Sequence, residues 1–204
     1  GHPTIQTPRL DRLASEGIKL TSFYTAAAVC TPSRAGLLTG RYPLRVGLPG
    51  NLGPDSAGGL NQEERTLAEG LRGNGYRTAA FGKWHLGAVP GYLPTDRGFD
   101  EYFGILYSND MMPPWVNTRR PLHLYRNDQP TAEQPVEQAT LTQRYTDEAI
   151  RFLSADSDKP FFLYLPYAMP HLPLSASAAF RGQSAGGLYG DVIEEIDANV
   201  GRLL

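Results

Sequence analysis

Five side chains of this 204-residue sequence supply the groups that nucleophilic and acid–base chemistry uses: one thiol, one guanidinium, one amine and two imidazoles. They lie in three segments: Cys30 and Arg34 in Cys30-Thr31-Pro32-Ser33-Arg34, Lys83 and His85 on either side of Trp84, and His171 in Pro170-His171-Leu172-Pro173. Such cations neutralise a tetrahedral oxyanion, and imidazoles move protons around it. The set therefore favours an anionic ester as substrate.

Each of the three segments follows a predicted strand. Residues 18–24 are rich in β-formers, residues 76–81 form a second strand, and residues 161–165 are an apolar run typical of a strand buried on both faces. Helices are predicted at 8–16, from Thr31 to Gly40, from a capping box at Asn61 and Glu64 to Leu71, at 141–153 and at 188–204. This alternation predicts an α/β fold, a mostly parallel sheet with helices on both faces. Ligands of such sheets bind beyond the carboxyl ends of the strands, where the five side chains converge.

Turn residues dominate the stretch between positions 82 and 135. We expect long surface loops there, with a hairpin near Asn127-Asp128. No internal repeat and no domain boundary is visible in the sequence, so residues 1–204 are expected to belong to one catalytic domain.

Four of the five candidate residues also have a simpler interpretation. A lone cysteine in an Ala-rich stretch is often a small buried hydrophobe, which holds for Cys30 taken alone. Lys83 and His85 alternate as at an ordinary strand end, and His171 can simply belong to a proline-rich loop. The convergence of all these residues on one edge of the sheet is what favours an oxyanion site.

Composition limits the remaining classes of function. A net charge of −2 with interspersed signs provides no positive field for a nucleic-acid backbone, so nucleic acid is not expected as a partner. The longest apolar run, at 161–169, is too short for a membrane span. A single cysteine excludes an intrachain disulfide. The sequence opens without a Met and closes within a helical pattern, so we expect a fragment of a longer protein that is inactive and poorly stable alone.

The segment Cys30-Thr31-Pro32-Ser33-Arg34-Ala35-Gly36-Leu37-Leu38-Thr39-Gly40-Arg41 resembles the signature of formylglycine-dependent sulfatases. Other segments resemble that family in the same order along the chain: 7–14, 82–87, Arg97-Gly98-Phe99-Asp100, 159–164 and 170–173. The resemblance covers essentially the whole sequence. It implies the alkaline-phosphatase-like α/β fold, a divalent cation that is usually Ca²⁺, and hydrolysis of aryl or carbohydrate sulfate esters.

The resemblance also implies roles for individual residues. Cys30 would be oxidised by a formylglycine-generating enzyme to the aldehyde, whose hydrate attacks sulfur, and Arg34 would stabilise that hydrate. Lys83 and His171 would hold the sulfate oxygens, one of them assisting departure of the alcohol, and His85 would accept a proton when sulfate leaves. Ser108, in Tyr107-Ser108-Asn109-Asp110, matches a family position near the sulfate, although it can equally cap a turn.

The metal ligands of the family match this sequence only at Cys30, as formylglycine. The family's acidic pair, its Asp-Asn pair and a further Lys lie outside these residues. Asp11, Asp55 and Asp191 match none of those motifs and are expected to be solvated or to cap helices and turns. The sequence by itself is therefore expected to bind a divalent cation weakly.

Two alternatives to a sulfatase remain open at the level of sequence. A phosphonate monoester or phosphodiester hydrolase of the same superfamily can use formylglycine in a similar motif. A catalytically silent, sulfatase-like binding protein would keep Cys30 as a thiol. By analogy with the family, we expect a periplasmic, secreted or lysosomal location.

Overall fold

A five-stranded mixed sheet forms the centre of the chain in a computed structural model, which describes residues 2–204. Its strands are β1 (Arg77–Lys83), β2 (Glu101–Ile105), β3 (Leu124–Arg126), β4 (Gln129–Pro130) and β5 (Phe161–Tyr164). Their order across the sheet is β4-β3-β2-β1-β5. The central strand β1 runs parallel to both β2 and β5, whereas β3 and β4 form an antiparallel hairpin beside β2.

Five α-helices accompany this sheet in the described residues, and each matches a predicted helix. They are α1 (Pro8–Glu16), α2 (Cys30–Thr39), α3 (Leu67–Arg72), α4 (Leu141–Leu153) and α5 (Gly187–Leu203). Gly40 ends α2 in the left-handed conformation at φ 66°, and its N–H donates to the Gly36 carbonyl. No helix within residues 2–204 combines the length and the apolar character that crossing a membrane requires.

Helices cover both faces of the sheet, as the sequence predicted. On one face, Phe152 of α4 packs edge-on against Phe81 of β1, with ring centroids 6.1 Å apart. On the other face, Phe99 stacks on Phe162 and Tyr164 of β5. This second face also carries α3, whose N-cap residue Thr66 donates its hydroxyl to the Arg97 carbonyl, and α2, which is described with the site below. The buried apolar residues on the two faces of the sheet belong to one continuous core.

The predicted strand at 18–24 is wrong. These residues form turns and irregular backbone, and Ile18, Leu20, Phe23 and Tyr24 are all exposed. A strand requires a hydrogen-bonded neighbour, and none of the five strands in the described chain lies beside this segment. β-propensity alone therefore did not produce a strand here.

Three further sequence predictions need correction. The capping box of α3 consists of Thr66 and Glu69, each side chain bonding the other's backbone N–H, and does not consist of Asn61 and Glu64. The stretch after residue 82 is not all surface loop, because it contains β2, which is buried between β1 and β3. The predicted hairpin at Asn127-Asp128 is confirmed. Strand β5 is at the sheet edge and only partly buried, so burial on both faces is wrong for it.

Candidate active site

Cys30 is the first residue of α2, and the start of that helix is fixed by side chains from other loops. The Asn51 amide oxygen accepts the N–H of Thr31 at 2.9 Å, which satisfies one of the free backbone donors at the helix start. The Thr31 hydroxyl donates to the His85 carbonyl at 2.8 Å. Cys30 is thereby held at the carboxyl end of β1, although residues 18–24 do not form the strand that was expected to lead to it.

Lys83 is the last residue of β1, and its side chain is 2% exposed. Its Nζ lies 3.3 Å from Cys30 Sγ and 2.9 Å from Ser108 Oγ. Loss of hydration lowers the pKa of Lys83, the neighbouring Cys30 opposes this effect, and the positive charge of Arg34 adds to it. The amine therefore bridges the predicted nucleophile and the predicted sulfate-binding serine.

Position 82, directly before Lys83, can hold only glycine. Gly82 has φ 140°, and a Cβ there would collide with the Pro166 carbonyl, which accepts the Lys83 N–H at 2.8 Å. Gly104 of β2 in turn faces the Gly82 carbonyl so closely that a side chain would not fit. Close backbone approach thus determines where the Lys83 side chain emerges.

Arg34 lies one turn after Cys30 in α2 and reaches the same strand end. Its Nη1 donates to the Lys83 carbonyl and lies 3.4 Å from the Tyr164 hydroxyl. Burial raises the pKa of Tyr164, so this phenol stays neutral and cannot neutralise the guanidinium. The charge of Arg34 is therefore available to an anion.

His85 is 1% exposed and adopts a left-handed backbone conformation, with φ 59°. Its Nε2 lies 2.9 Å from the Leu52 carbonyl oxygen, so Nε2 carries the proton and donates. Its Nδ1 is then unprotonated, and this buried atom has no hydrogen-bond partner in the described chain. Burial first, and then the charge of Lys83, lower the pKa of His85 to about 3, so the ring is neutral near pH 7.

His171 is half-exposed in the loop after β5. Its Nδ1 lies 2.7 Å from the Leu172 carbonyl oxygen and 3.9 Å from Asp110 Oδ1. The structure gives it no hydrogen bond to Cys30, Lys83 or Ser108 in the described residues. Its contact on the side of these residues is Asp110, which lies two residues after Ser108 in the same loop.

Direct contacts join four of the six predicted site residues: Cys30, Arg34, Lys83 and Ser108. His85 is linked to this group through its carbonyl, which accepts the Thr31 hydroxyl, and through the charge of Lys83. We call these five residues and His171 the anion cluster. The prediction from sequence missed Asn51, Tyr164 and Asp110, which support it. Asp110 alone had a signal, because it closes the motif in which only Ser108 was singled out.

The anion cluster contains two cations, two histidines and no carboxylate of its own, with Asp110 beside it, and is therefore a poor site for a divalent metal by itself. Ca²⁺ and Mg²⁺ require several anionic oxygen ligands. Nowhere in residues 2–204 do three His, Cys, Asp or Glu side chains gather as a metal-binding group. The ligand set expected for Ca²⁺ is thus not supplied by the described residues.

The arrangement suits a tetrahedral oxyanion beside residue 30. Lys83 and Arg34 supply positive charge, Ser108 supplies a hydroxyl, and Cys30 begins a helix whose backbone N–H groups favour anions. Burial of Lys83 and His85 strengthens such interactions, because less water screens them.

Comparison with known proteins shows the family to which the chain belongs. The family model described as Sulfatase matches residues 1–204. Arylsulfatase G of mouse is 42% identical over 98% of this chain and 43% of its own length, and N-acetylgalactosamine-6-sulfatase of pig is 40% identical over 100% and 42%. The crystal structure of Ps i-CgsB in complex with k-i-k-neocarrahexaose is 31% identical, with a TM-score of 0.85 over 100% of this chain and 49% of that one.

The chain thus spans less than half the length of these curated relatives, yet it matches them nearly from end to end. The family match covers every residue that builds the anion cluster. The chain belongs to the sulfatase family of the alkaline phosphatase superfamily.

Proposed function

We propose that the protein hydrolyses sulfate esters at the anion cluster, with residues 1–204 as the central part of a single catalytic domain. One observation carries this proposal: the buried Lys83 amine lies between Cys30 Sγ, at 3.3 Å, and Ser108 Oγ, at 2.9 Å. A buried ammonium is costly unless an anion compensates it. A sulfate group beside residue 30 provides that compensation, and membership of the sulfatase family supports this choice of anion.

Conversion of Cys30 to formylglycine supplies a hydrated aldehyde, with one hydroxyl to attack sulfur and a second whose proton can be removed when sulfate departs. An unmodified Cys or Ser ester has no second hydroxyl and would need water to attack sulfur. We infer that a formylglycine-generating enzyme carries out this conversion. Cys30 begins its helix and is partly exposed in this chain.

The surrounding residues bind, orient and move protons in this scheme. Lys83 and Ser108 hold sulfate oxygens, and Arg34 orients and stabilises the nucleophilic group at position 30. His85 accepts the proton at its free Nδ1, since Nε2 is committed to the Leu52 carbonyl. Burial is the main cause of the low pKa of His85, and the charge of Lys83 is the second; a bound sulfate offsets the second cause and so makes the ring a better base.

The relatives point to sulfated saccharides as the substrate class. One is named for N-acetylgalactosamine 6-sulfate esters, and one structural neighbour holds a neocarrahexaose. We extend this class to the present protein, together with Ca²⁺ held by formylglycine and ligands outside these residues, and with a periplasmic, secreted or lysosomal location.

Turnover of 4-nitrophenyl sulfate by the whole protein, produced together with a formylglycine-generating enzyme, tests the proposal. Mass spectrometry of the peptide that contains Cys30 should detect the aldehyde. Cys30→Ser and His85→Ala should each abolish turnover, and His85→Ala should accumulate a covalently sulfated enzyme.

Two results would contradict this function. Faster hydrolysis of a phosphonate monoester than of the sulfate would assign the site to the related phosphonate chemistry. An unmodified Cys30 thiol in protein from its native source, with no turnover, would make the chain a silent binding protein.

A further inference from the structure

Asp110 is a carboxylate that the mechanism above does not use, although it lies at the anion cluster. It follows Ser108 in a tight loop after β2, closed by an N–H bond from Met111 to the Ser108 carbonyl at 3.0 Å. The intervening Asn109 is fully buried, and its amide donates to Gln138 at 3.0 Å. The loop that places Ser108 on Lys83 therefore also determines the position of Asp110.

One oxygen of this carboxylate has no hydrogen-bond partner in the part of the chain that the structure describes. Asp110 Oδ1 is buried, and its neighbour within ion-pair distance is Nδ1 of His171, 3.9 Å away. A buried carboxylate oxygen without a partner is unfavourable, so a positive charge beside it is stabilised. His171 is the group that can supply this charge.

The other charged groups of the cluster lie further from Asp110. Its negative charge raises the pKa of Lys83 and of His85, but for each of these it is the smallest of the effects that act on the group. Arg34 is bound to the Lys83 carbonyl and Tyr164. Asp110 therefore faces the cluster from the side of His171.

The hydrogen bond of His171 determines which ring nitrogen can serve a substrate. Nδ1 lies 2.7 Å from the Leu172 carbonyl oxygen, which only accepts, so Nδ1 carries a proton. Nε2 is consequently the atom that can gain a proton and give it away. The Leu172 carbonyl fixes this tautomer, and the Asp110 carboxylate, 3.9 Å from the same nitrogen and too far for a hydrogen bond, places a negative charge beside the ring.

We propose that Asp110 is a positioning residue of the sulfatase reaction, whose negative charge beside Nδ1 orients the His171 ring so that Nε2 delivers a proton to the departing alcohol oxygen. In that step an ionised hydroxyl oxygen of the hydrated aldehyde at residue 30 bonds to sulfur while the S–O bond to the alcohol breaks. The electron pair of the broken bond goes to the alcohol oxygen, and that oxygen takes the proton from Nε2. His171 is left neutral, and the covalent sulfate stays at residue 30. The inference rests on the proposed function and assigns a role to Asp110 within it.

Dependence on the leaving group distinguishes this role from a purely structural one. 4-Nitrophenolate leaves readily without a proton, whereas a saccharide alkoxide requires one. Asp110→Asn should therefore lower kcat for a saccharide sulfate about 10- to 100-fold and lower kcat for 4-nitrophenyl sulfate less than about threefold. KM should change little for either substrate.

The controls separate failure of this inference from failure of the proposed function. Asp110→Glu restores the charge and should recover part of the lost turnover, while Asp128→Asn removes an exposed turn carboxylate and should change nothing. In a His171→Ala background, Asp110→Asn should have no further effect on the saccharide substrate.

An equal loss of kcat on both substrates in Asp110→Asn would show that Asp110 is only structural, and no loss on either would exclude the proposed role. In both cases the wild-type protein would still hydrolyse the sulfates, so the proposed function would not be affected. Absence of turnover of either sulfate by the wild-type protein would overturn the proposed function, and this inference with it.

Discussion

Two regions of this chain handle buried charge in opposite ways. Helix α5 presents acidic side chains whose oxygens accept backbone N–H groups of neighbouring segments: Asp191 accepts from Gly182, Gln183 and Ser184, Glu195 from Ser177, and Asp197 from Arg9 and Leu10. In the anion cluster, the buried Lys83 has a thiol and a hydroxyl as partners, and no carboxylate of residues 2–204 accepts from its ammonium.

The difference shows what each set of charges does. Backbone N–H groups satisfy Asp191 and Asp197 and lower the pKa of Asp191, so these two carboxylates serve as caps. This agrees with the capping or solvated role expected for Asp191. Glu195 accepts the Ser177 N–H at Oε2, while its buried Oε1 has no partner in the described residues. The anion cluster has unbalanced charge that the fold does not satisfy. Buried charge without a partner lowers the stability of the folded protein, and such unfavourable arrangements are typical of functional sites.

The largest expected effect is that of Lys83→Met, which keeps the stem of the side chain and removes the charge. Turnover of 4-nitrophenyl sulfate should fall at least about 10³-fold, because the variant lacks the buried ammonium that stabilises the negative charge of the transition state. The free energy of unfolding should stay the same or increase by about 1 kcal/mol, since an uncompensated ammonium is removed. Steady-state kinetics and urea unfolding measure the two effects, and a large loss of stability would contradict the comparison.

Acid sensitivity should follow from His85. Its folded pKa, about 3, lies below its unfolded value near 6.5, so the unfolded chain binds the extra proton between these values and stability falls as pH is lowered. Between pH 6.5 and pH 5, the free energy of unfolding should fall by about 1.5–2 kcal/mol. His85→Gln, whose amide can still donate to the Leu52 carbonyl, should remove that part of the slope. The free energy of unfolding in urea, measured for both proteins from pH 6.5 to pH 5, checks this. The same dependence on pH in both proteins would show that His85 is not neutral and buried.

On the acidic side of the comparison, Asp197→Ala should lower the free energy of unfolding by about 1–2 kcal/mol. It removes the acceptor of the Arg9 and Leu10 N–H groups at the start of α1. The kcat of the whole protein should be unchanged. A loss of turnover at constant stability would mean that α5 serves the active site and not the fold.

The smallest effect is expected for Asp147→Ala, the matched surface control. Asp147 pairs with Arg202 at 2.6 Å, but both side chains are nearly half exposed, so water and salt screen the pair. The change in the free energy of unfolding should be about 0.5 kcal/mol or less. A cost equal to that of Asp197→Ala would show that backbone capping is not what distinguishes the α5 carboxylates.

Local signals in the sequence predicted the five α-helices of the described residues and singled out the residues of the anion cluster. Thr7-Pro8 placed the start of α1, and the rule that sites follow parallel strands singled out Lys83 and His85. Strand β2 was missed because Glu101–Ile105 is short and lies among turn residues, and its pairing with β1 is not local.

What the sequence could not provide depends on contacts between distant segments. Residues 18–24 have the composition of a strand, but pairing with a neighbour decides whether a strand forms. The role of Asp110 depends on the approach of His171, 61 positions later in the sequence, in the loop after β5. The tautomer of His85 likewise depends on the Leu52 carbonyl, which no motif indicates.

The affinity of the whole protein for inorganic sulfate, measured by titration calorimetry, tests the central claim most directly. If the anion cluster holds unbalanced charge for an oxyanion, wild-type protein should bind sulfate, and Lys83→Met should raise Kd at least about tenfold, or about 1.4 kcal/mol. Asp197→Ala should leave Kd unchanged. Equal Kd values for the wild-type and Lys83→Met proteins would contradict the claim that Lys83 is positioned to bind the sulfate group.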